Sequence, residues 1–284
     1  MSASDRVASE GRTSEKERGD ASLVEFASLR AFPELLGVVS TRVGGFSKPP
    51  FDSLNLGLSV PDHVNDVVRN RRRLFELAEV APARVVVCRQ VHSNRVAEVG
   101  HEDGGRGALE TETAIPECDG LLTTERDLYL LVQSADCPTV AIFAPPSAGV
   151  TVVHSGWRGT AHEIARCAVE KLHAATDVAV SEFRAVLAPA IGGCCYEVGA
   201  EVVDAIAHAE SGVRSRHGED KAMLCLRSVI ARQLEDAGIP KANIETHPHC
   251  THCSPGRYYS YRLTGARTGR FGLLAGIRER VLDS

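Results

Sequence analysis

Three side chains of this sequence are suited to hold one metal ion, namely His92, Cys137 and His154. Cys137 comes soon after the apolar run 128–132, and His154 ends the apolar run 150–153. Their separation of 17 positions is too long for one helical turn but natural for the ends of neighbouring strands. Two imidazoles and one thiolate suit zinc, and three protein ligands leave one position of a tetrahedral shell open, as in catalytic zinc sites. The pattern therefore predicts a catalytic Zn²⁺ site with these three ligands.

The same residues also fit a second chemistry, that of a Cys-His hydrolase. In this interpretation the Cys137 thiolate is the nucleophile, and His92 or His154 activates it. A zinc ligand and a nucleophile both require a thiol with a lowered pKa. The sequence alone therefore leaves open whether Cys137 is a metal ligand or a nucleophile.

A second group of potential ligands lies near the C-terminal end. Its members fall within seven residues and are His247, His249, Cys250, His252 and Cys253. Cys-x-x-Cys is half of a familiar zinc site, but the sequence has no second Cys-x-x-Cys and no His-x-x-x-His pair to complete it. We interpret this segment as structural and close to the zinc site, and leave open whether it binds metal. The adjacent Cys194 and Cys195 are interpreted as buried thiols.

Hydrophobic periodicity predicts a mixed arrangement of strands and helices. Apolar runs predict strands near residues 35–41, 84–91, 95–99, 119–123, 128–133, 139–144, 150–153, 183–187, 244–247 and 271–277. The close succession of the three runs over 119–144 indicates adjacent, partly antiparallel strands. Helices are predicted over 64–80, 199–209 and 221–237, and from Thr160 to 174, where Thr160 and Glu163 have capping-box spacing.

The remaining segments are predicted to be loops or exposed surface. The basic run of Arg69 and residues 71–73 is interpreted as a mostly solvated helix face. Residues 101–117 are acidic and glycine-rich and are predicted to form a long loop of the kind that can serve as a lid, and residues 210–220 a polar loop. Because strands and helices alternate without a strict βαβ rhythm, we expect an α/β (α+β) fold with a mixed sheet.

Composition and charge place the chain among ordinary globular proteins. It has 284 residues, 43% of them hydrophobic and 24% charged. A net charge of −5 gives no general attraction to nucleic acid or to an anionic membrane, and no apolar run approaches the roughly 18 residues that span a bilayer. Without an apolar signal-peptide region, we expect a cytoplasmic protein whose nine cysteines are reduced. Residues 1–22 are predicted to be a disordered tail, and residues 23–284 a single catalytic domain.

Ten short motifs occur in order over residues 35–277: 40–45, 53–57, 70–71, 90–92, 119–123, 135–137, 154–159, 196–199, 250–251 and 259–262. Together they resemble the multicopper-polyphenol-oxidase-like, or laccase-domain, family of purine nucleoside phosphorylases, whose bacterial members are also called peptidoglycan-editing factors. The sequence departs from the family pattern at Ser155, where alanine is usual, at Cys118 and at His252. None of these departures touches the three predicted ligands.

The resemblance implies a fold, a metal and an activity. The fold would be a mixed-sheet layered sandwich with outer helices, similar to the cytotoxic-necrotizing-factor catalytic domain. The family's zinc ligands match His92, Cys137 and His154. The implied activity is phosphorolysis of adenosine, inosine, guanosine and methylthioadenosine, with adenosine deamination as a side reaction. Copper and laccase activity are also attached to the family, but oxidase chemistry needs several coppers and correspondingly many histidines.

Phosphorolysis requires an anion-binding site beside developing positive charge. Two arginines are predicted to donate hydrogen bonds to phosphate. They are Arg158, near the predicted helix start at Thr160, and Arg42, next to two glycines. Tyr196 is the third predicted substrate-binding residue, and either it or Asp136 is expected to assist proton transfer. The expected partners are therefore a purine nucleoside and phosphate. We expect no binding to nucleic acid or to a membrane, and we expect a monomer or a homodimer. The alternative function is the editing of cell-wall peptidoglycan precursors by a hydrolase or a binding factor.

Overall fold

The computed structural model describes residues 13–18, 21–146, 148–218 and 220–279. The strands are β1 (Thr13–Arg18), β2 (Ala21–Phe26), β3 (Leu35–Ser40), β4 (Val85–Val87), β5 (Val96–Glu98), β6 (Gly120–Thr123), β7 (Tyr129–Ser134), β8 (Thr139–Ala144), β9 (Gly149–His154), β10 (Arg184–Leu187), β11 (Glu197–Gly199), β12 (Val213–His217), β13 (Lys221–Leu224), β14 (Ile244–Thr246) and β15 (Phe271–Ile277). The α-helices are α1 (Val64–Ala78), α2 (Trp157–Ala161), α3 (Ile164–Thr176), α4 (Ala200–Asp204), α5 (Leu226–Asp236) and α6 (Tyr261–Thr264).

Two mixed sheets of six strands each form the centre of the fold. The first has the strand order β1-β2-β3-β15-β7-β4, and the second has the order β14-β10-β8-β9-β6-β5. Neighbouring strands are antiparallel except for three parallel pairs, which are β4 with β7, β5 with β6 and β10 with β14. A small third sheet has the order β11-β13-β12. The predicted mixed α/β fold class is therefore confirmed.

The two large sheets pack face to face, and helices cover their outer faces. One core lies between the sheets and includes Val132, Phe143 and Phe271. α1 packs on the outer face of the first sheet through Leu74 and Phe75, and α3 and α5 cover the outer face of the second sheet. Because both faces of each sheet are covered, β8 and β15 are buried along their whole length rather than on alternate residues. The likeness to a cytotoxic-necrotizing-factor domain stays a prediction.

α1 shows how the sequence positions the helices. Its buried residues recur three or four positions apart, at Val67, Arg71, Leu74 and Ala78, so one face of the helix is directed at the sheet. The helix ends at Glu79, whose left-handed backbone lets its N–H bond to the last turn. The predicted helix over 64–80 is thus confirmed. Among the helices that the structure describes, none has the length and apolar composition needed to cross a bilayer.

Three helix predictions in the second half of the chain need correction. The predicted start at Thr160 is wrong, because α2 begins at Trp157 and the helix is interrupted at Glu163, which has a φ of 51°. Thr160 is not an N-cap residue. It lies inside α2, and its hydroxyl donates to the carbonyls of Ser155 and Gly156, which precede the helix. The predicted helix over 199–209 is shortened to α4. The predicted helix over 221–237 begins as β13, because β11 and β12 pair with both edges of this strand.

Parts of the predicted N-terminal tail and of the predicted polar loop form strands in the structure. Ala21 and Ser22, assigned to the tail, are buried in β2. β1 pairs antiparallel with β2, so residues 13–18 belong to the first sheet. The predictions for residues 1–12, 19 and 20 lie outside the described residues. Within the predicted polar loop 210–220, β12 forms and pairs with β13.

The chain crosses from one large sheet to the other between β7 and β8. The prediction of three adjacent strands over 119–144 is therefore wrong, since β7 belongs to the first sheet and β6 and β8 to the second. β8 then pairs antiparallel with β9, and Thr139 lies opposite His154. This pairing places the crossing segment, which contains Cys137, at the end of β9.

Phe143 tests whether the sheets pack as described. It is fully buried between them, and its ring end lies 3.1 Å from where a Cβ would stand on Gly37 of the opposite sheet. We expect Phe143→Ala to lower the free energy of unfolding by about 3–5 kcal/mol, measured by urea denaturation followed by circular dichroism. The control Val64→Ala removes an exposed side chain and should change it by less than about 0.5 kcal/mol. Equally small changes in both variants would contradict this packing.

Candidate metal centre

The structure brings His92, Cys137 and His154 to one place. Their ligand atoms, one from each side chain, all lie within 4.8 Å of one another. The two imidazole rings are nearly perpendicular, with centroids 4.9 Å apart. His154 is the last residue of β9. Cys137 lies two positions before the start of β8, the strand that neighbours β9 in the second sheet. The ends of two adjacent strands, β8 and β9, therefore supply two of the three side chains, whereas the strand of the run 128–132, which the spacing predicts as the neighbour of β9, is β7 and lies in the other sheet.

A buried carboxylate, that of Asp119, holds both imidazoles in position. Its oxygens accept hydrogen bonds from the backbone N–H groups of Val91, His92 and Ser93 at 3.1, 3.0 and 2.6 Å. Its Oδ1 also lies 3.0 Å from Nδ1 of His154. The first set of bonds fixes the loop that carries His92. The bond to Nδ1 leaves Nε2 of His154 as the nitrogen available to a metal.

The loop at His92 adopts a conformation that its neighbours enforce. His92 has a φ of 62°, in the left-handed region that side chains other than glycine rarely occupy. Such a conformation persists only where the surrounding structure determines it. Here the three amide hydrogen bonds to Asp119 supply that constraint, so the strained backbone is part of how the ring of His92 is placed.

The acidic and basic groups of this site shift one another's pKa values. Burial raises the pKa of the Cys137 thiol, but hydrogen bonds and charges from His154 and His92 outweigh burial and lower that pKa to about 6. Burial lowers the pKa of His154, whereas Asp119 and Cys137 raise it to about 9. Burial raises the pKa of Asp119, yet the bonds from His154 and the loop amides bring it to about 2. Without a metal, the site at neutral pH therefore holds a thiolate, an imidazolium and a carboxylate.

The donor set and the space around it fit Zn²⁺. Two nitrogens and one sulfur are ligands that zinc prefers, and a histidine whose Nδ1 faces a carboxylate is typical of zinc sites. A Cβ on Gly156 would lie 2.9 Å from Cδ2 of His92 and 3.1 Å from Sγ of Cys137. Glycine at this position thus keeps the space between the imidazole and the thiolate clear. His92, Cys137 and His154 would hold the ion.

The three ligand residues line a cavity of about 650 Å³. This volume is within the range of small-molecule sites. His154 is buried, whereas His92 is exposed, so the site is open on the side of His92. The predicted loop 101–117 forms part of the cavity wall, and its lining residues are Gly107, Thr111 and Ala114. A ligand in the cavity would therefore be bounded by both the metal centre and this loop.

Four arginine side chains also line the cavity, those of Arg71, Arg89, Arg262 and Arg270. The guanidinium of Arg262 lies 5.0 Å from the ring centroid of Tyr196 and donates to the carbonyl of Glu197 at 2.9 Å. Burial lowers the pKa of Arg270, and the nearby negative charge of Cys137 opposes that effect. Guanidinium groups recognise phosphate and carboxylate oxygens. The cavity therefore combines three candidate metal ligands with a cationic wall.

Of the predicted substrate-binding residues, Tyr196 lies in the cavity wall and Arg158 lies close to it. Burial raises the pKa of Tyr196 to about 12, and the charge of Cys137 adds to this, so its phenol is neutral and can donate a hydrogen bond. Arg158 is exposed and stacks on Trp157, with 4.2 Å from its guanidinium carbon to the ring centroid. Trp157 itself lines the cavity. Arg158 is thus placed at the outer side of this wall.

Arg42, in contrast, is not brought to the cavity among the described residues. Its Nε and Nη2 donate to the carbonyl of Asp52 at 2.9 and 2.6 Å, and its Nη1 donates to the carbonyl of Pro255 at 2.8 Å. The guanidinium also lies 4.7 Å from the ring centroid of Tyr259. These contacts join two loops, so Arg42 has a structural role here.

Asp136, the other residue considered for proton transfer, lines the cavity but is fully engaged. One carboxylate oxygen accepts from the hydroxyl of Thr251 and the other from the backbone N–H of Arg262, both at 2.6 Å. Its backbone carbonyl accepts from the N–H of Ile191. Asp136 therefore joins three loops around the cavity.

Arg71 is 2% exposed and lines the cavity, so the prediction that it belongs to the solvated face of α1 is wrong. Its Nη1 donates to the carbonyls of Gly107 and Ala108 at 2.5 and 3.0 Å, and its Nε donates to that of Leu56 at 2.7 Å. Burial lowers its pKa to about 9. Arg71 thus ties α1 to the loop 101–117 that forms part of the cavity wall.

Sequence reasoning gave no role to Asp119, Arg262 or Arg270. Asp119 and Arg262 lie within motifs that carried the family resemblance, so those motifs were the signal available. Their functions could not be assigned, because the partners of Asp119 are up to 35 positions away and those of Arg262 up to 126 positions away. Arg270, which precedes β15, had no distinguishing sequence signal.

Known proteins share both this sequence pattern and this fold. A protein of Geobacillus stearothermophilus named purine nucleoside phosphorylase YlmD is 38% identical over 254 residues, covering 87% of this chain and 93% of that protein. A protein from an unknown prokaryotic organism, named adenosine deaminase RL5, is 32% identical over 222 residues, covering 75% of this chain and 84% of that protein. The crystal structure of YlmD from Geobacillus stearothermophilus matches with a TM-score of 0.87 and 34% identity, covering 93% of this chain and 99% of that one.

A family model agrees with these similarities and with the resemblance of the ten motifs. It is described as multi-copper polyphenol oxidoreductase laccase and matches residues 37–278. This range contains both large sheets apart from β1, β2 and the first two residues of β3. The matched region also contains every residue of the metal centre. The chain therefore belongs to the multi-copper polyphenol oxidoreductase laccase family.

Proposed function

We propose that this protein is a zinc-dependent purine nucleoside phosphorylase that acts on adenosine, inosine, guanosine and methylthioadenosine, with adenosine deamination as a side activity. The observation that carries the proposal is the convergence of His92, Cys137 and His154 on a cavity with a cationic wall. The names of two relatives, purine nucleoside phosphorylase and adenosine deaminase, support the same substrate class.

The proposed reaction sets clear demands on the site. An oxygen of phosphate attacks C1′ of the ribose while the bond from C1′ to the purine nitrogen breaks. The products are ribose 1-phosphate and the free base, which takes up a proton. Positive charge develops on the sugar in the transition state, so catalysis requires an anion held close to C1′ and a proton donor near the base. A site for this reaction needs cations, a neutral donor and an apolar surface for the purine.

The residues around the cavity meet these demands. Arg262 and Arg270 would bind the phosphate, with Arg158 near the entrance as a further cation. The neutral phenol of Tyr196 would donate a hydrogen bond to the substrate. Trp157, whose ring lines the cavity, offers a flat surface for the purine. When bound, zinc would act as a Lewis acid toward a substrate oxygen or toward the water used in deamination.

The number of potential metal sites argues against a copper oxidase. Within the part of the chain that the structure describes, two groups of residues have ligand atoms close enough to hold a metal, and only one of them contains histidine. Copper oxidases that oxidise polyphenols need several copper ions and correspondingly many histidines. The two histidines and one cysteine of this site supply a single centre. Polyphenol oxidation is therefore the least supported of the activities considered.

A second candidate is a Cys-His hydrolase that edits cell-wall peptidoglycan precursors. One observation favours it: Asp119, His154 and Cys137 form a carboxylate–imidazole–thiolate chain like that of cysteine hydrolases. In that case the thiolate of Cys137 would be the nucleophile and His154 would carry the proton. The two candidates differ in their dependence on metal.

Replacing Cys137 tests both candidates. We expect Cys137→Ala to reduce phosphorolysis of inosine by at least about 100-fold, since one ligand and one charge are lost. Ribose 1-phosphate and hypoxanthine are measured with phosphate present, and bound zinc is measured by mass spectrometry. The matched control is Cys167→Ala, which removes a thiol on α3 and should change neither quantity. Full turnover in Cys137→Ala would exclude both proposed roles of this residue.

Metal removal then separates the two candidates. Treating the wild-type protein with a chelator should abolish phosphorolysis, and adding zinc should restore it. A cysteine nucleophile would instead retain hydrolysis after chelation and lose it on alkylation. Activity toward inosine that is independent of both metal and phosphate would contradict the phosphorylase.

Asp119 is expected to act as a positioning residue for the metal. Asp119→Asn keeps the size of the side chain but removes the charge that faces Nδ1 of His154, so zinc affinity should fall by about 10–100-fold. Competition with a chelator of known affinity measures this change without reference to activity. Asp66→Asn is the control, because Asp66 pairs with Arg69 on the surface of α1. Zinc affinities that match in the wild-type and Asp119→Asn proteins would remove this role.

The thiol of Cys137 gives a pH-dependent readout in metal-free protein. Because its pKa is lowered to about 6, the reactive thiolate predominates above that pH and is lost below it. Alkylation by iodoacetamide, followed peptide by peptide with mass spectrometry, should therefore show a midpoint near pH 6 for Cys137. Cys167, whose pKa burial raises, is the internal comparison and should react only at higher pH. A midpoint for Cys137 equal to that of Cys167 would contradict the proposed environment.

A further inference from the structure

A second group of cysteines lies outside the centre formed by His92, Cys137 and His154. Its members are Cys194, Cys195, Cys250 and Cys253, whose sulfur atoms all lie within 4.8 Å of one another. Sγ of Cys253 is 3.3 Å from that of Cys195 and 3.7 Å from that of Cys194. All four are free thiols, and each sulfur is well beyond the roughly 2.05 Å of a disulfide bond.

Two loops supply this group, and they begin at the carboxyl-terminal ends of two neighbouring parallel strands of the second sheet. Cys194 and Cys195 follow β10, and Cys250 and Cys253 follow β14, its parallel neighbour. Beyond the strands, Ala190 and Cys250 still form a parallel bridge. The four thiols are thus brought together by the pairing of the loops and not by chance contact of flexible side chains.

Four converging sulfurs match the preferred shell of one ion. With zinc–sulfur bonds of about 2.3 Å, the sulfurs of a tetrahedral site lie about 3.8 Å apart, close to the observed separations. The backbone N–H of Gly192 lies 3.1 Å from Sγ of Cys250, a donor that stabilises a ligating thiolate. Cys194 and Cys253 are exposed, so an ion has access from solvent. The Cys-x-x-Cys at 250–253, which lacked a second half in the sequence, finds it in the adjacent Cys194 and Cys195.

The neighbouring histidines do not belong to this group in the described residues. The ring of His247 packs against those of His249 and Tyr258, with centroids 4.8 and 6.2 Å away. Nδ1 of His247 accepts the backbone N–H of His249. Four thiolates therefore form the complete shell, which leaves no position for substrate or water, as in structural zinc sites.

We propose that Cys194, Cys195, Cys250 and Cys253 form a structural Zn²⁺ site that is separate from the centre at His92, Cys137 and His154. The site would cross-link the loops after β10 and β14. Both loops reach the cavity: Ile191 and Tyr196 line it, and the hydroxyl of Thr251 donates to Asp136 at 2.6 Å. The ion would thus stabilise the cavity wall that carries Tyr196. This proposal does not depend on the reaction catalysed at the other centre.

Metal counting on purified protein tests the proposal. Protein is produced with zinc and without added copper, and zinc per chain is measured by mass spectrometry. We expect two equivalents in the wild-type protein, one in Cys137→Ala, one in the double variant Cys194→Ser with Cys253→Ser, and two in the control Cys167→Ser. One equivalent in the wild-type protein that disappears in Cys137→Ala would overturn the proposal, even if the phosphorylase activity is found.

A second measurement does not require the double variant of Cys194 and Cys253 to fold. Cobalt is substituted for zinc in the Cys137→Ala protein, which retains all four cysteines of the proposed site. We expect thiolate-to-cobalt charge-transfer absorption corresponding to four sulfurs, and its loss when the four thiols are alkylated beforehand. Absence of this absorption in folded, reduced protein would overturn the proposal. So would peptide mapping that finds a disulfide among these cysteines in metal-free protein together with no zinc uptake after reduction.

Discussion

The arrangement of this site depends on one buried charge, the carboxylate of Asp119. It accepts three backbone amides from the loop of His92 and faces Nδ1 of His154, so a single group fixes two ligands that come from distant parts of the chain. Asp119 is fully buried, and burying a carboxylate costs free energy unless such hydrogen-bond partners surround it. The same partners that stabilise the charge therefore also orient the imidazoles, and the lowered pKa of Cys137 follows from their proximity.

The packing of two sheets explains where the cavity lies. The chain passes from the first sheet to the second between β7 and β8, and the residues of this crossing, including Asp136 and Cys137, line the cavity. The polar groups of Asp136 in this crossing need partners. The N–H of Ile191 donates to its backbone carbonyl, and Thr251 and Arg262 donate to its carboxylate. The hydrogen bonds that satisfy the crossing thus also build the walls of the site.

The two groups of potential metal ligands in the described residues differ chemically. The group at His92 offers nitrogen and sulfur donors, with a carboxylate behind one imidazole and an open side toward the cavity. The group at Cys194 has four sulfurs and loops that are already paired. The first arrangement suits chemistry and the second suits cross-linking, because a shell filled by protein has no position for a substrate. The loops that carry the cysteines also carry Tyr196, so the two groups share one wall.

The sequence by itself determined the fold class, most strands and α1, and it singled out the three side chains that converge as candidate metal ligands, because apolar periodicity and residue type are local properties. It could not place Asp119, Arg71 or Arg42 in their roles, since each acts through backbone groups far away in the chain. It also assigned β13 to a helix, because the pairing with β11 and β12 outweighs local propensity. Only the tertiary structure united Cys194 and Cys195 with the Cys-x-x-Cys segment, since that contact arises from the parallel pairing of β10 with β14.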